Sequence, residues 1–206
     1  PPVAVILAEC DRARRKAETK EDFLASINVI EQQGNKMNTL IEQLLSLTRI
    51  QQGTEKYPLR VCDLSGFVDA CCDEFVPADE RGMTLETDIE PGVAAAYNPS
   101  LLSRAMFNLM QNAYKYGREG GNIRVSLCRE NGCAVISVKD DGPGIPKAEQ
   151  EKIWQRFYRC DTSRAEGGTG LGLSIVKHAA MLHNAAIDVF SRPGTGTTIQ
   201  VTFPIE

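Results

Sequence analysis

Asn108, Asn112 and Lys115 recur at i, i+4 and i+7, a spacing that puts all three on one face of a helix. Two amides and an ammonium side by side can hold phosphate oxygens. One amide oxygen could also help ligate magnesium, which takes oxygen ligands and keeps several waters. Read alone, the same trio describes an ordinary solvated helix face. Asp140-Asp141-Gly142-Pro143-Gly144 directly follows an apolar alternating run. Its glycines admit a ligand close to the backbone, and its carboxylate can accept from an exocyclic amine. Read alone, it is an acidic turn. Gly167-Gly168-Thr169-Gly170-Leu171-Gly172 opens a helical pattern. Glycines at a helix N-terminus present free amides to phosphates, although a ligand-free capping loop has the same composition. The run is not the dinucleotide fingerprint, because Leu or Ile stands where the third glycine belongs. It is not a P-loop either, because no Gly-Lys-Ser/Thr follows.

These residues need elements to hold them. Asn98-Pro99 is a cap followed by a first-turn proline, and the helix it opens runs to about Tyr116 with Leu102, Ala105, Met106, Leu109 and Ala113 inward. Ile123-Val125-Leu127 and Ala134-Ile136-Val138 flank Asn131-Gly132, a strong hairpin signal. A short strand is expected within 57–62 and another at 83–89, with a helix capped by Asp63 between them. Residues 141–168 read as irregular apart from a short helical stretch near 147–158; loops of that length are functional or mobile in compact domains. A helix follows at about 170–183, then a hairpin pairing Ala186–Ser191 with Thr197–Phe203.

Residues 1–52 are helical in pattern. Phe23, Ile27, Ile30, Gly34, Met37, Ile41, Leu44 and Thr48 step by four and three in a heptad seam. Thr19 and Asp22 form a weakened capping box, so a break near 17–20 separates two helices, and Gly53 is a good C-cap. The seam fits an ordinary hairpin or half of a dimeric four-helix bundle.

Composition removes several classes. The net charge is −4 with both signs interspersed, so no basic field for nucleic acid exists. Hydrophobic residues make up 42% of the 206 residues, enough for a sizeable core. No apolar run approaches the ~18–20 residues of a membrane span. The seven cysteines are odd in number and form no C-x-x-C pair, which points to reduced thiols rather than a zinc or disulfide framework. The chain lacks an initiating Met and reads as a piece of something longer.

Together, Asn108–Tyr116 (N-L-M-Q-N-A-Y-K-Y), Asp140–Ile145 (D-D-G-P-G-I) and Gly168–Leu173 (G-T-G-L-G-L) resemble the N, G1 and G2 boxes of sensor histidine kinases. Ile153–Arg159 (I-W-Q-R-F-Y-R) resembles the F box between the last two. The resemblance extends essentially from Pro1 to Glu206. It implies an α+β fold over about 57–206, a two-layer α/β sandwich of the Bergerat ATP-binding type. A dimerisation and phosphotransfer hairpin, half of a dimeric four-helix bundle, would precede it over about 1–52. The implied ligands are ATP and Mg²⁺. Asp140 would bind the adenine amino group, with Gly142 and Gly144 shaping the pocket floor and Ile145 beside them. Asn112 would ligate the metal. Asn108, Lys115 and Tyr116 would contact phosphates or ribose. Arg159 would reach the terminal phosphate from a mobile lid that includes Phe157. Gly168, Thr169, Gly170, Leu171, Gly172 and Leu173 would close on the phosphate chain. Asn108, Lys115 and Arg159 are the catalytic candidates.

The implied partners are a response-regulator receiver domain and a second copy of the chain through the hairpin, with no nucleic acid. A membrane would enter only through other parts of the parent, of which this would be a cytoplasmic portion in a bacterial-type sensor kinase. ATPases of the same fold carry Glu at the position of Asn108 as a water-activating base, work that an amide cannot do. That favours transfer to a protein acceptor. Two rival readings keep the fold: an ATPase that uses hydrolysis as a conformational clock, and a non-catalytic pseudokinase or dimer scaffold.

The resemblance departs in three places, one of them Pro1, which stands where the family often has the Thr or Asn used for phosphatase activity, so weak phosphatase activity is expected of the parent. The family's H box reads roughly H-E-x-R-x-P, and Pro2-Val3-Ala4-Val5-Ile6 resembles its end. The phosphoacceptor His is therefore expected five residues upstream of Pro2; His178 and His183 do not match it. Asp141 stands where the family commonly has Asn, which adds negative charge expected near the metal–phosphate site.

Overall fold

The computed structural model describes residues 2–51, 57–75, 81–160 and 169–205, main chain alone at 39–40 and 42–51. The C-cap expected at Gly53 and the lid residue Gly168 lie outside the described residues. The chain divides into two compact units, Pro1–Lys56 and Tyr57–Glu206.

The first unit is a helical hairpin of α1 (Pro2–Lys16) and α2 (Lys20–Gln51). The break falls where the capping signal stands. The Asp22 amide donates to Thr19 Oγ1 at 3.2 Å, and the Thr19 amide donates back to Asp22 Oδ2 at 3.1 Å. This reciprocal pair satisfies donors that a helix start leaves orphaned. Arg12 then donates to the buried Ser26 Oγ at 3.0 Å across the two helices. Phe23, Ile27 and Ile41 of the seam are about half exposed within this unit.

The second unit is a two-layer sandwich. Its elements are β1 (Arg60–Asp63), α3 (Leu64–Glu74), β2 (Thr84–Ile89), β3 (Ala94–Tyr97), α4 (Pro99–Tyr116), β4 (Asn122–Glu130), β5 (Cys133–Lys139), α5 (Lys147–Gln150), α6 (Gly172–Leu182), β6 (Ala186–Arg192) and β7 (Gly196–Pro204). A five-stranded mixed sheet runs β2-β4-β5-β7-β6, with β2 and β4 parallel and the other neighbours antiparallel. Register aligns the inward residues in rows: Val125, Val138 and Ile199 in one, Leu127, Ile136 and Val201 in the next. On these rows rest the apolar faces of α3, α4 and α6, including Val68, Met106, Met110 and Val176. The other face of the sheet carries more polar residues, such as Arg124, Ser126 and Lys139. Alternating burial of this kind is what a half-covered sheet requires.

Two elements differ from the expectation. The stretch expected to be helical near 147–158 forms only the single turn α5 before a series of turns. Strand β3 has no strand signal in Ala94-Ala95-Ala96-Tyr97, since alanine is a poor strand former. Tertiary pairing makes it: β1 pairs with it antiparallel, and the Tyr97 hydroxyl donates to the Asp63 carbonyl at 2.8 Å. All seven cysteines are free thiols. Among the described residues, no helix is long and apolar enough to cross a membrane.

Candidate functional site

Helix α4 is the spine of the site. Asn98 caps it, accepting from the Leu101 amide at 3.1 Å, with Pro99 in the first turn. Its inward stripe is buried, and Asn108, Asn112, Lys115 and Tyr116 are left half-buried away from the core. At the far end Arg81 donates to the carbonyls of Tyr114, Lys115 and Gly117, the last two at 2.7 Å. A cation beside orphaned C-terminal carbonyls neutralises the negative helix end and holds it in place. Nothing in the sequence singles out Arg81 for this task.

Two glycines bring other elements against α4. A Cβ on Gly172, the first residue of α6, would stand 2.9 Å from Asn108 Oδ1 and 3.6 Å from Asn112 Nδ2. The N-terminus of α6 therefore lies on the amide face of α4. A Cβ on Gly142 would collide with the Tyr116 carbonyl oxygen, so the loop after β5 seats on the last turn of α4. About 12 Å of helix separates these seats, at 1.5 Å rise per residue. Asn108 Nδ2 donates back to the Arg104 carbonyl at 2.7 Å, which leaves its Oδ1 for the α6 side. Lys115 Nζ donates to Tyr116 Oη at 3.0 Å and lies 4.6 Å from the ring centroid, a cation–π contact.

Asp140 continues the β5–β7 pairing. Its amide donates to the Thr197 carbonyl at 2.8 Å. Its Oδ1 accepts from the amides of Gly142 at 2.8 Å and Thr197 at 3.2 Å. Both amides go to the same oxygen. Burial pushes the Asp140 carboxyl up to about 6, helped by the neighbouring Asp141 charge and opposed by the two amides. Thr197 was missed as a site residue, although strand register past Lys139–Thr198 leads to it.

Gly144 adopts φ +73°, and a Cβ there would strike the Arg192 carbonyl, so the position needs glycine. The Ile145 amide donates to Ser191 Oγ at 2.7 Å, and Gln150 Nε2 donates to the carbonyls of Ile145 and Ser191, each at 2.9 Å. The main chain of the Asp140–Ile145 loop is thus clamped at both ends.

The segment at Phe157 meets the glycine-rich stretch just before α6. The Phe157 amide donates to the Gly170 carbonyl at 2.9 Å. Phe157 itself has φ +62°, a strained conformation for a bulky residue, and the residue is 60% exposed. Arg159 follows it, half-buried. Thr169 Oγ1 accepts from the Leu171 amide at 3.3 Å. Leu171 is fully buried and anchors the segment, while Gly170, Gly172 and Leu173 around it are half-buried.

Asp141 is held by main-chain donors on the far side of the loop. Its Oδ1 accepts from the Arg118 amide and its Oδ2 from the Asn122 amide, each at 3.1 Å. The carboxylate closes the loop between α4 and β4, where a Cβ on Gly121 would overlap it. His183 is buried within the fold, as a residue outside the motif boxes should be.

Comparison with known proteins agrees with this arrangement. The family described as "Histidine kinase-, DNA gyrase B-, and HSP90-like ATPase" matches residues 97–206. The chain is 38% identical over 176 residues to the sensor-like histidine kinase SenX3 of Mycolicibacterium smegmatis, covering 84% of this chain and 46% of that one. It is 34% identical over 209 residues to the sensor histidine kinase RppB of Synechocystis, covering 99% and 46%. Among solved structures, the mycobacterial sensor histidine kinase MprB superposes with a TM-score of 0.62 at 29% identity, over 71% of this chain and 97% of that one. The chain spans about half the length of the curated relatives it matches. With an amide-bearing helix, a carboxylate loop and a glycine-rich helix start gathered on one Bergerat-type sandwich, the chain belongs to the histidine kinase-, DNA gyrase B-, and HSP90-like ATPase family, with sensor histidine kinases as its relatives.

Proposed function

We propose that Tyr57–Glu206 is the MgATP-binding catalytic domain of a sensor histidine kinase and Pro1–Lys56 its dimerisation and phosphotransfer hairpin. The observation that carries this reading is the pair of glycine seats on α4. Gly172 sets the lid helix against Asn108 and Asn112, and Gly142 sets the Asp140 loop against Tyr116. Adenine and phosphates of one nucleotide can then be held from a single rigid helix.

Each residue takes a role that its surroundings support. Asp140 Oδ2 accepts from the adenine amino group, with Oδ1 held by the amides of Gly142 and Thr197. Gly144 and Ile145 keep the pocket floor in place. Lys115, Tyr116 and Asn108 meet ribose and phosphate, and amides at the start of α6 face the phosphate chain. Arg159, with Phe157, comes from the lid.

Beside Gly172 the amide face of α4 presents Asn108 Oδ1 and Asn112 Nδ2, so Asn112 would serve magnesium with its amide turned to bring Oδ1 to the ion, and phosphates and water would complete an all-oxygen shell. Asn112 is the assigned protein ligand. When bound, the ion neutralises charge on the transferring phosphoryl group. The residues of the chain orient the nucleotide and exclude water, the larger part of phosphoryl-transfer catalysis. An imidazole nitrogen of the acceptor forms a bond to the γ-phosphorus as the bond to the β-phosphate oxygen breaks, releasing ADP. A receiver aspartate then takes the phosphoryl group. Asn108, an amide, offers no base to activate water for hydrolysis.

The test uses a chain extended upstream through the expected acceptor His, incubated with γ-labelled MgATP beside the 206-residue chain and Asp140→Asn. Acid-labile, base-stable label on the extended chain alone supports the proposal. Steady ATP turnover with no label on any chain moves the assignment to a hydrolytic ATPase.

A further inference from the structure

The two ends of α6 are both tied to α4, and only one tie belongs to a motif box. At the N-terminal end Gly172 lies on Asn108 and Asn112. At the C-terminal end the buried His183 accepts from the Asn98 amide through Nε2 at 2.9 Å. Its Nδ1 lies 2.6 Å from the Ala179 carbonyl, an acceptor, so Nδ1 carries the proton and Nε2 is bare. One neutral tautomer satisfies both contacts. Burial also holds the imidazole below its usual pKa, and the ring packs edge-on to Phe203 at 5.8 Å.

Asn98 is fixed in turn. Its Oδ1 accepts from the Leu101 amide, its carbonyl accepts from the Leu102 amide, and its Nδ2 donates to the Pro58 carbonyl. The tie therefore grips the cap of the helix that carries the nucleotide face. The spacing of the ties also matches. Asn98 to Asn108 spans roughly 15 Å and Gly172 to His183 roughly 17 Å at helical rise, so α6 runs antiparallel to α4 with both ends in register.

Resting on the nucleotide-binding reading above, we infer that His183 is a positioning residue for the phosphate half of the site: by accepting from Asn98 it fixes how far α6 slides along α4. That register sets where the amides of Gly170–Leu173 stand relative to Asn108 and Asn112. The adenine half is built from β5, β7 and the Asp140 loop and does not depend on it.

The test compares affinities for ATP with Mg²⁺ and for adenosine, each measured well below the melting temperature of the variant. Four chains are used: the unaltered chain, His183→Leu, His183→Gln and Phe203→Leu. In His183→Leu the Asn98 amide has no acceptor, and ATP affinity is expected to fall about tenfold while adenosine affinity changes less than twofold. His183→Gln puts an amide oxygen near the position of Nε2 and is expected to restore ATP affinity to within about threefold. Phe203→Leu loosens packing around the same ring without removing the acceptor, and is expected to shift both ligands together. Equal losses for ATP and adenosine in His183→Leu, or the same split in Phe203→Leu, overturn the positioning role. Should His183→Leu not fold, His183→Phe, which keeps a buried ring but no acceptor, takes its place: an ATP-specific loss that His183→Gln does not show sustains the role, and equal losses for both ligands, or none, overturn it. An unaltered chain that binds neither ligand removes the nucleotide site itself, a result distinct from all of these.

Discussion

The Tyr116 carbonyl oxygen occupies the ground where a Cβ on Gly142 would stand. The last turn of α4 and the loop after β5 therefore meet backbone to backbone, and the relative position of Lys115, Tyr116 and Asp140 follows from that contact. Gly142→Ala is expected to force them apart, costing about 1–3 kcal/mol as overpacking does. Thermal unfolding and calorimetric ATP titration should show a lower melting temperature and at least tenfold weaker binding. Unchanged values for both would mean the contact does not set the site.

Asp140 gives two pH signatures of opposite benefit. Its folded pKa is raised from 3.8 to about 6, so the folded state holds this proton more tightly than the unfolded chain. Stability from this group is present below pH 4 and is lost as pH rises through about 6. Above that, ionised Asp140 costs the fold up to about 3 kcal/mol. Asp140→Asn should therefore unfold at higher temperature than the unaltered chain at pH 7.5. It should not bind ATP, because an amide that keeps Oδ1 on Gly142 and Thr197 must turn its NH₂ toward the adenine amine. In the unaltered chain, adenosine affinity should fall as pH drops through 6. The nucleoside is the right ligand, since it has no phosphate to titrate. A flat profile from pH 5 to 8 would contradict the adenine contact.

Asn112 is assigned to the metal rather than to the nucleotide alone. Asn112→Ala should weaken ATP binding about tenfold with Mg²⁺ present and little with chelator present. Loss of equal size in both conditions would return Asn112 to direct phosphate contact.

Asp141 accepts from two amides of the loop between α4 and β4, one with each oxygen. Asp141→Asn keeps one acceptor and turns a donor toward the other amide. Destabilisation of about 0.5–1.5 kcal/mol is expected, as for one hydrogen bond lost at a partly exposed site, with MgATP affinity within threefold of the unaltered chain. A large gain in MgATP affinity would show instead that the Asp141 charge opposes the bound phosphates.

How legible the molecule was depended on the range of the forces involved. The cap at Asn98-Pro99, the Asn131-Gly132 turn and the Thr19–Asp22 box are local chemistry, and the elements begin and turn where those residues stand. Asn108, Asn112 and Lys115 share a face because helical period alone decides it. Strand β3 was not legible, because Ala94–Tyr97 becomes extended only through pairing with β1. Arg81 was equally silent: it acts on carbonyls more than thirty positions away in the chain. The partners of Asp141 were silent for the same reason. Its sequence neighbours are a ligand loop, but its spatial neighbours are the amides of Arg118 and Asn122.

The central claim is that the amide face of α4, the Asp140 loop and the α6 N-terminus form one nucleotide site. Calorimetric titration of the 206-residue chain with MgATP, beside Asp140→Ala, tests it most directly. The account predicts saturable one-to-one binding that Asp140→Ala loses while remaining folded. A folded chain that takes up no MgATP at millimolar concentration, or an Asp140→Ala variant that binds as well as the unaltered chain, would contradict it.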